Sequence, residues 1–151
     1  MQIDLELNTY KGKLKVRQQG LLTVVLDPVR RKYVGLTPEE YVRQLMIRYL
    51  TDSCGYSINR IQVEREIIVN SKSLRFDLAI LDHKLQPYIL IECKRHTEQI
   101  SNRTFDQVSL YNQSLQADYL VITNGIRSYC ASIDYDQKTY RLIDHIPNQN
   151  Q

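Results

Sequence analysis

No stretch of this chain is apolar for long enough to span a bilayer. Asp4, Glu6, Lys11, Lys13 and Lys15 break up the first 20 residues, so a secretory leader is not expected either. Cysteine is scarce. Cys54, Cys93 and Cys130 are odd in number, widely spaced and without a CxxC pair, which argues against zinc and for reduced thiols in a cytoplasmic protein. Tryptophan is absent, and the 11 tyrosines fall at strand and helix edges, where they read as core and rim rather than as a stacking platform. There is no glycine-rich phosphate loop ending in Lys-Ser/Thr, which excludes an ATP-driven motor. The three histidines, His83, His96 and His145, are scattered and form no catalytic cluster. No repeat or linker divides the 151 residues, so one domain is expected, with a basic N-terminal extension over 1–35 and a frayed tail over 148–151. The net charge of +3 permits a nucleic-acid partner without demanding one.

The order of elements points to a mixed α/β fold. Thr37-Pro38-Glu39-Glu40 marks a helix start, with Thr37 as N-cap, Pro38 at the first helical position and Glu40 placed for a capping box. The helix carries Val42, Leu45, Met46 and Tyr49 on one face and stops near Gly55. Strands are expected over 61–69, 74–81 and 88–94. A second helix over 104–115 leads to a strand over 119–123, and a terminal hairpin pairs 129–133 with 140–143. The three-strand meander is antiparallel; the strand after the helical crossover should lie parallel to the third, with a right-handed connection. The resulting central sheet is flanked by helices.

Two adjacent strands, over 74–81 and 88–94, each set an acid in an apolar run. Asp77 sits in the apolar-flanked segment Leu74–Leu81. Fourteen residues separate Asp77 from Glu92, which lies in the run Ile89-Leu90-Ile91-Glu92-Cys93-Lys94. Side chains alternate along a strand, so Glu92 and Lys94 share one face and Ile91 and Cys93 the other. The run before Glu92 is nearly continuous in apolar residues, as in a strand covered on both faces. An acid and a lysine there are costly to bury without a role. Two carboxylates from neighbouring strands can hold one divalent cation, and a lysine beside them can position a water. The same three residues also suit a cross-strand ion-pair set.

These segments together resemble the PD-(D/E)XK nuclease superfamily, and more closely the N-terminal nuclease domain of type I restriction enzyme R subunits. The matching residues are Thr37-Pro38-Glu39-Glu40-x-Val42-Arg43-Gln44, Arg75-x-Asp77, Ile89–Lys94, Phe105-Asp106-Gln107-x-x-x-Tyr111-Asn112 and Tyr119–Gly125. The resemblance implies a restriction-endonuclease-like fold and Mg²⁺-dependent hydrolysis of DNA phosphodiesters, with Mn²⁺ as a substitute. It implies Asp77 and Glu92 as metal ligands, the Cys93 backbone carbonyl as a third, and Lys94 as the group that holds or activates the attacking water. Gln107 and Tyr111, four apart on one helical face, would line the site, and an acid of the first helix would complete it. On a helical wheel Glu39 lies near the edge of the buried stripe and Glu40 almost opposite. Glu39 is therefore the expected site acid, and Glu40 is expected to face solvent as the capping acid. Arg95 and Arg103 flank the predicted mouth as DNA-phosphate contacts, whereas Arg30-Arg31-Lys32 reads as a solvated basic face. A homodimer or a separate restriction or motor subunit are the expected protein partners. A second possibility is a non-catalytic nucleic-acid-binding or accessory module of a restriction or repair assembly.

Overall fold

Hydrophobic alternation in the second half of the chain builds a sheet that is covered on both faces. The computed structural model describes residues 1–149. The central sheet has six strands in sequence order: β4 (Ile61–Val69), β5 (Lys72–Leu81), β6 (Pro87–Cys93), β7 (Tyr119–Thr123), β8 (Ser128–Asp134) and β9 (Thr139–Ile143). Before it, β1 (Val16–Gln19), β2 (Leu22–Asp27) and β3 (Lys32–Gly35) form a separate antiparallel sheet. All neighbouring pairs in the large sheet are antiparallel except β6 and β7, which run parallel with Ile89 opposite Tyr119 and Cys93 opposite Thr123. The helix α2 (Asn102–Asn112) supplies the crossover between those two strands. The expected meander, crossover and terminal hairpin are all present.

Local chemistry explains the joints. Asn70 and Ser71 both adopt positive φ, 51° and 65°, the twisted two-residue turn that suits a right-handed hairpin, so β5 begins two residues before Leu74. α1 (Pro38–Arg48) starts where Thr37 Oγ1 accepts the Glu40 N–H at 3.1 Å. Only half of the expected capping box forms, because the Glu40 carboxylate turns to Arg30 and Gln44 instead of to Thr37.

The two faces of the sheet bury different helices. Leu45, Met46 and Ile47 of α1 pack with Leu78, Ile80, Ile89, Ile91 and Val121. Phe105 and Val108 of α2 pack with Ala79, Leu90, Leu120 and Ile122 on the other side. Alternation along β6 thus sends Ile89, Ile91 and Cys93 towards α1 and Leu90 towards α2, as a strand covered twice requires. The three cysteines are free and buried.

The N-terminal segment is more than an extension. Leu5 and Leu7 lie in the α1-side core, and the Ile3 N–H donates to the Ser128 carbonyl at 2.8 Å. The tail is tied down as far as Gln149, whose N–H donates to the Cys54 carbonyl, while the Tyr56 hydroxyl donates to that of Pro147. Fraying was expected from 148; positions 150 and 151 lie outside the described residues. Among the described residues, no helix is long and apolar enough to cross a membrane.

Candidate functional site

The strands β5 and β6 part company where the polar residues begin. Their ladder pairs Ile80 with Ile89 and Leu78 with Ile91, and there it ends. Beyond that point a side chain takes over: the Cys93 backbone N–H donates to Asp77 Oδ2 at 2.6 Å. On the other flank, β4 and β5 pair Val63 with Leu78 and Arg65 with Phe76, skipping Glu64, which has φ 54°. The irregularity changes the facing of β5. Phe76 lies with the α2 core and Leu78 with the α1 core, so strict alternation breaks at Asp77 between them.

Asp77 is 8% exposed. Its Oδ1 accepts from Arg43 Nη2 of α1 at 3.1 Å. Burial pushes its carboxyl up to about 6, against the opposing pull of the Cys93 N–H and of Arg43. Glu92 is held at about 7, first by burial and then by the negative charge of Asp77. Lys94 Nζ lies 3.3 Å from Glu92 Oε1. Burial alone would lower the Lys94 ammonium, but Glu92 beside it wins and holds it above its ordinary value. Asp77, Glu92 and Lys94 therefore act on one another electrostatically, as expected for two carboxylates and a lysine at one end of adjacent strands.

The remaining predicted residues divide into those gathered here and those placed elsewhere. Glu92, Lys94, Gln107 and Tyr111 line a small cavity of about 120 Å³ between β6 and α2. Gln107 Nε2 lies 3.4 Å from the Tyr111 hydroxyl, as the four-residue spacing predicts. Glu39 is exposed at the start of α1, yet its charge reaches Asp77 and Glu92 and raises both. Arg95 joins Glu39 and Arg43 around a wider cavity of about 540 Å³ on the α1 side. Arg103 is exposed on the first turn of α2. His96 is turned against Gly125 and Tyr41, with its Nε2 buried and unpartnered.

Two expectations are overturned. Glu40 does not face solvent; it is 7% exposed and receives Arg30 Nη2 at 2.6 Å and Gln44 Nε2 at 3.2 Å. Arg30 does not belong to a solvated basic face. It reaches inward to Asp27 at 2.7 Å and to Glu40, leaving Arg31 and Lys32 exposed. The cause is the turn after β2. Asp27 Oδ1 accepts the N–H groups of Val29 and Arg30, which aims Arg30 back across the helix start. A wheel drawn on the helix alone contains no such partner.

The same network holds the residue that sequence reasoning missed. Arg43 is buried and stands between Glu40, Glu64 and Asp77. Its signal in the sequence is slight, a basic residue three positions after an acid on a helix.

Among the described residues, no three His, Cys, Asp or Glu side chains form a ready metal cage. The donor chemistry nonetheless fits an oxygen-seeking divalent ion that keeps several waters. Two carboxylates are raised by their own confinement, and a bound cation would relieve that burden. One Asp77 oxygen is meanwhile shared with Arg43.

A mixed six-stranded sheet between two helices, with an acid on each of two diverging strands, defines a restriction-endonuclease-like α/β protein. The family model for the N terminus of the type I restriction enzyme R protein matches residues 38–147, and the chain belongs to that family. No curated protein matches it. Its fold is similar to that of a solved fragment described as an HsdR subunit of a type I restriction enzyme from Vibrio vulnificus YJ016, with a TM-score of 0.51 at 18% identity. The match covers 76% of this chain and 24% of that one.

Proposed function

We propose that this chain is a Mg²⁺-dependent PD-(D/E)XK nuclease that hydrolyses DNA phosphodiesters in the cytoplasm, within a restriction system that includes other subunits. The observation that carries the reading is the meeting of Asp77, Glu92 and Lys94 where β5 and β6 separate, backed by membership of the R-protein N-terminal family. Asp77 and Glu92 would hold the cation, with the Cys93 carbonyl as a main-chain ligand and Mn²⁺ as a substitute. When bound, such an ion polarises a phosphoryl oxygen and lowers the pKa of a water.

The chain's own residues do the rest. Lys94, held charged by Glu92, is placed to orient a water and to balance charge developing on the phosphate. Gln107 and Tyr111 border the same small cavity and would fix the sugar-phosphate side of the substrate. Glu39 adds an acid from α1, and Arg95 and Arg103 offer phosphate contacts outside the site. Cleavage of supercoiled plasmid by wild type in Mg²⁺, lost in EDTA and in Asp77→Asn, is the expected result. Activity that survives in Asp77→Asn at saturating Mg²⁺ would remove Asp77 from the mechanism.

One observation favours a second reading. Arg43 already balances Asp77, so the carboxylate has a counter-ion without a metal. A domain that keeps the fold and binds DNA as an accessory of a larger assembly would show this pairing too. Such a domain would shift a labelled duplex in a binding assay and leave plasmid intact in both Mg²⁺ and Mn²⁺.

A further inference from the structure

Arg43 is the least satisfied cation in the buried network. It is 6% exposed, and its Nε has no partner. Its Nη2 lies 3.1 Å from Asp77, and its Nη1 lies 3.5 Å from Glu40 and 3.4 Å from Glu64. None of these reaches the short length typical of charge-assisted pairs. Arg30, in the same network, shows the contrast with bonds of 2.7 Å to Asp27 and 2.6 Å to Glu40. A guanidinium has five donors in a rigid fork, and this one commits few of them. Its acceptors lie on both sides: Asp77 in the site, and Glu40 and Glu64 behind it.

Asp77 has little to spare. Oδ2 takes the Cys93 N–H, and Oδ1 is the oxygen that Arg43 holds. A divalent cation on the same carboxylate would meet a like charge already there. We propose that Arg43 and the divalent cation compete for Asp77, and that Arg43 withdraws towards Glu40 and Glu64 as the site fills. The proposal rests on the metal-site reading above. It makes Arg43 a positioning residue: it keeps Asp77 balanced while the site is empty and sets how much metal is needed to load it. Glu64, brought to Arg43 by its left-handed backbone, is the alternative berth for the side chain.

Calorimetric titration with Mn²⁺ alone tests this, on wild type, Arg43→Gln, Glu64→Gln and Glu98→Gln. Arg43→Gln should bind Mn²⁺ about tenfold more tightly or better, since a competing unit charge is removed. Glu64→Gln takes away an alternative acceptor, leaves Arg43 more firmly on Asp77, and should weaken binding by roughly threefold or more. Glu98 lines the same cavity but is not among the partners of Arg43, so Glu98→Gln should stay within about twofold of wild type. Wild type that binds Mn²⁺ while Arg43→Gln binds no more tightly overturns the competition and leaves the metal site standing. Binding by neither protein overturns both. Should Arg43→Gln fail to fold, the Glu64 and Glu98 variants decide alone, and equal losses in the two would refute the role given to Arg43.

Discussion

Replacing Glu92 by Gln should stabilise this protein at alkaline pH while removing a ligand of the proposed metal site. Burial and the nearby Asp77 raise the Glu92 carboxyl from 4.5 to about 7. The folded chain then holds that proton more tightly than the unfolded chain does. Stability therefore falls as pH rises from the unfolded value through the folded one, the reverse of an ordinary salt-bridged carboxylate. Moving a carboxyl from 4.5 to about 7 makes its ionised form about 3 kcal/mol costlier in the folded state. At pH 8 nearly all of that cost is present; at pH 5 it is under about 1 kcal/mol. The pairing with Lys94 is already contained in this value, because Lys94 is among the causes that set it. Gln lacks the charge but keeps the shape, so any packing difference is common to both pH values and cancels. The pH-dependent part is then about 2 kcal/mol, or roughly 4–8 °C in Tm for a chain of this size. Thermal melts of wild type and Glu92→Gln in EDTA at pH 5 and pH 8 measure it. The variant should gain on wild type between the two pH values, and Mn²⁺ should raise the Tm of wild type only. A Tm gap that is the same at both pH values, or one that moves in favour of wild type between pH 5 and pH 8, would show that Glu92 is not a strained carboxylate.

Two further outcomes follow from the geometry. Lys94→Met should leave metal binding intact and slow single-turnover cleavage of a labelled duplex by a factor on the order of 10²–10⁴, whereas an unchanged rate with a lowered Tm would mean that Lys94 only balances Glu92. Gly125→Ala should destabilise the fold by about 1–3 kcal/mol in chemical denaturation, because the residue has φ +88° and a Cβ there would lie 2.5 Å from His96 Nε2.

Most of the scaffold was legible because its signals are local. The strands over 61–69 and 119–123 have the bounds read from their apolar runs, and Thr37-Pro38 starts α1 where caps predict. The sequence pattern places the second helix over 104–115, whereas it runs from Asn102 to Asn112, since Ser101 initiates it and Gln116, in a left-handed conformation, closes the turn that follows. Face assignment along β6 also follows from sequence, and it puts Glu92 and Lys94 beside Gln107 and Tyr111. What was not legible depends on contacts between distant segments. Glu40 is buried because a turn made by Asp27 delivers Arg30 to it. Arg43 is central because Glu64 leaves the β conformation opposite Asp77. Helical periodicity weighs apolar residues on one element and has no means of seeing a cation supplied by another.

The hydrogen bond from the Cys93 amide to Asp77 has a consequence for how substitutions at Asp77 are chosen and read. At that position a side chain stands in for the missing rung of a backbone ladder, so the acid is also a splint for the last residues of β6. Asparagine can keep the acceptor oxygen and thus the splint. Alanine removes it, leaving a buried amide with nothing to bind, at a cost of about 1–3 kcal/mol, and leaves the stretch that carries Glu92 and Lys94 held from the β7 side alone. An alanine variant would therefore disturb the proposed nuclease site in two ways at once, and only the amide replacement separates the chemistry of the carboxylate from its service as a piece of the sheet.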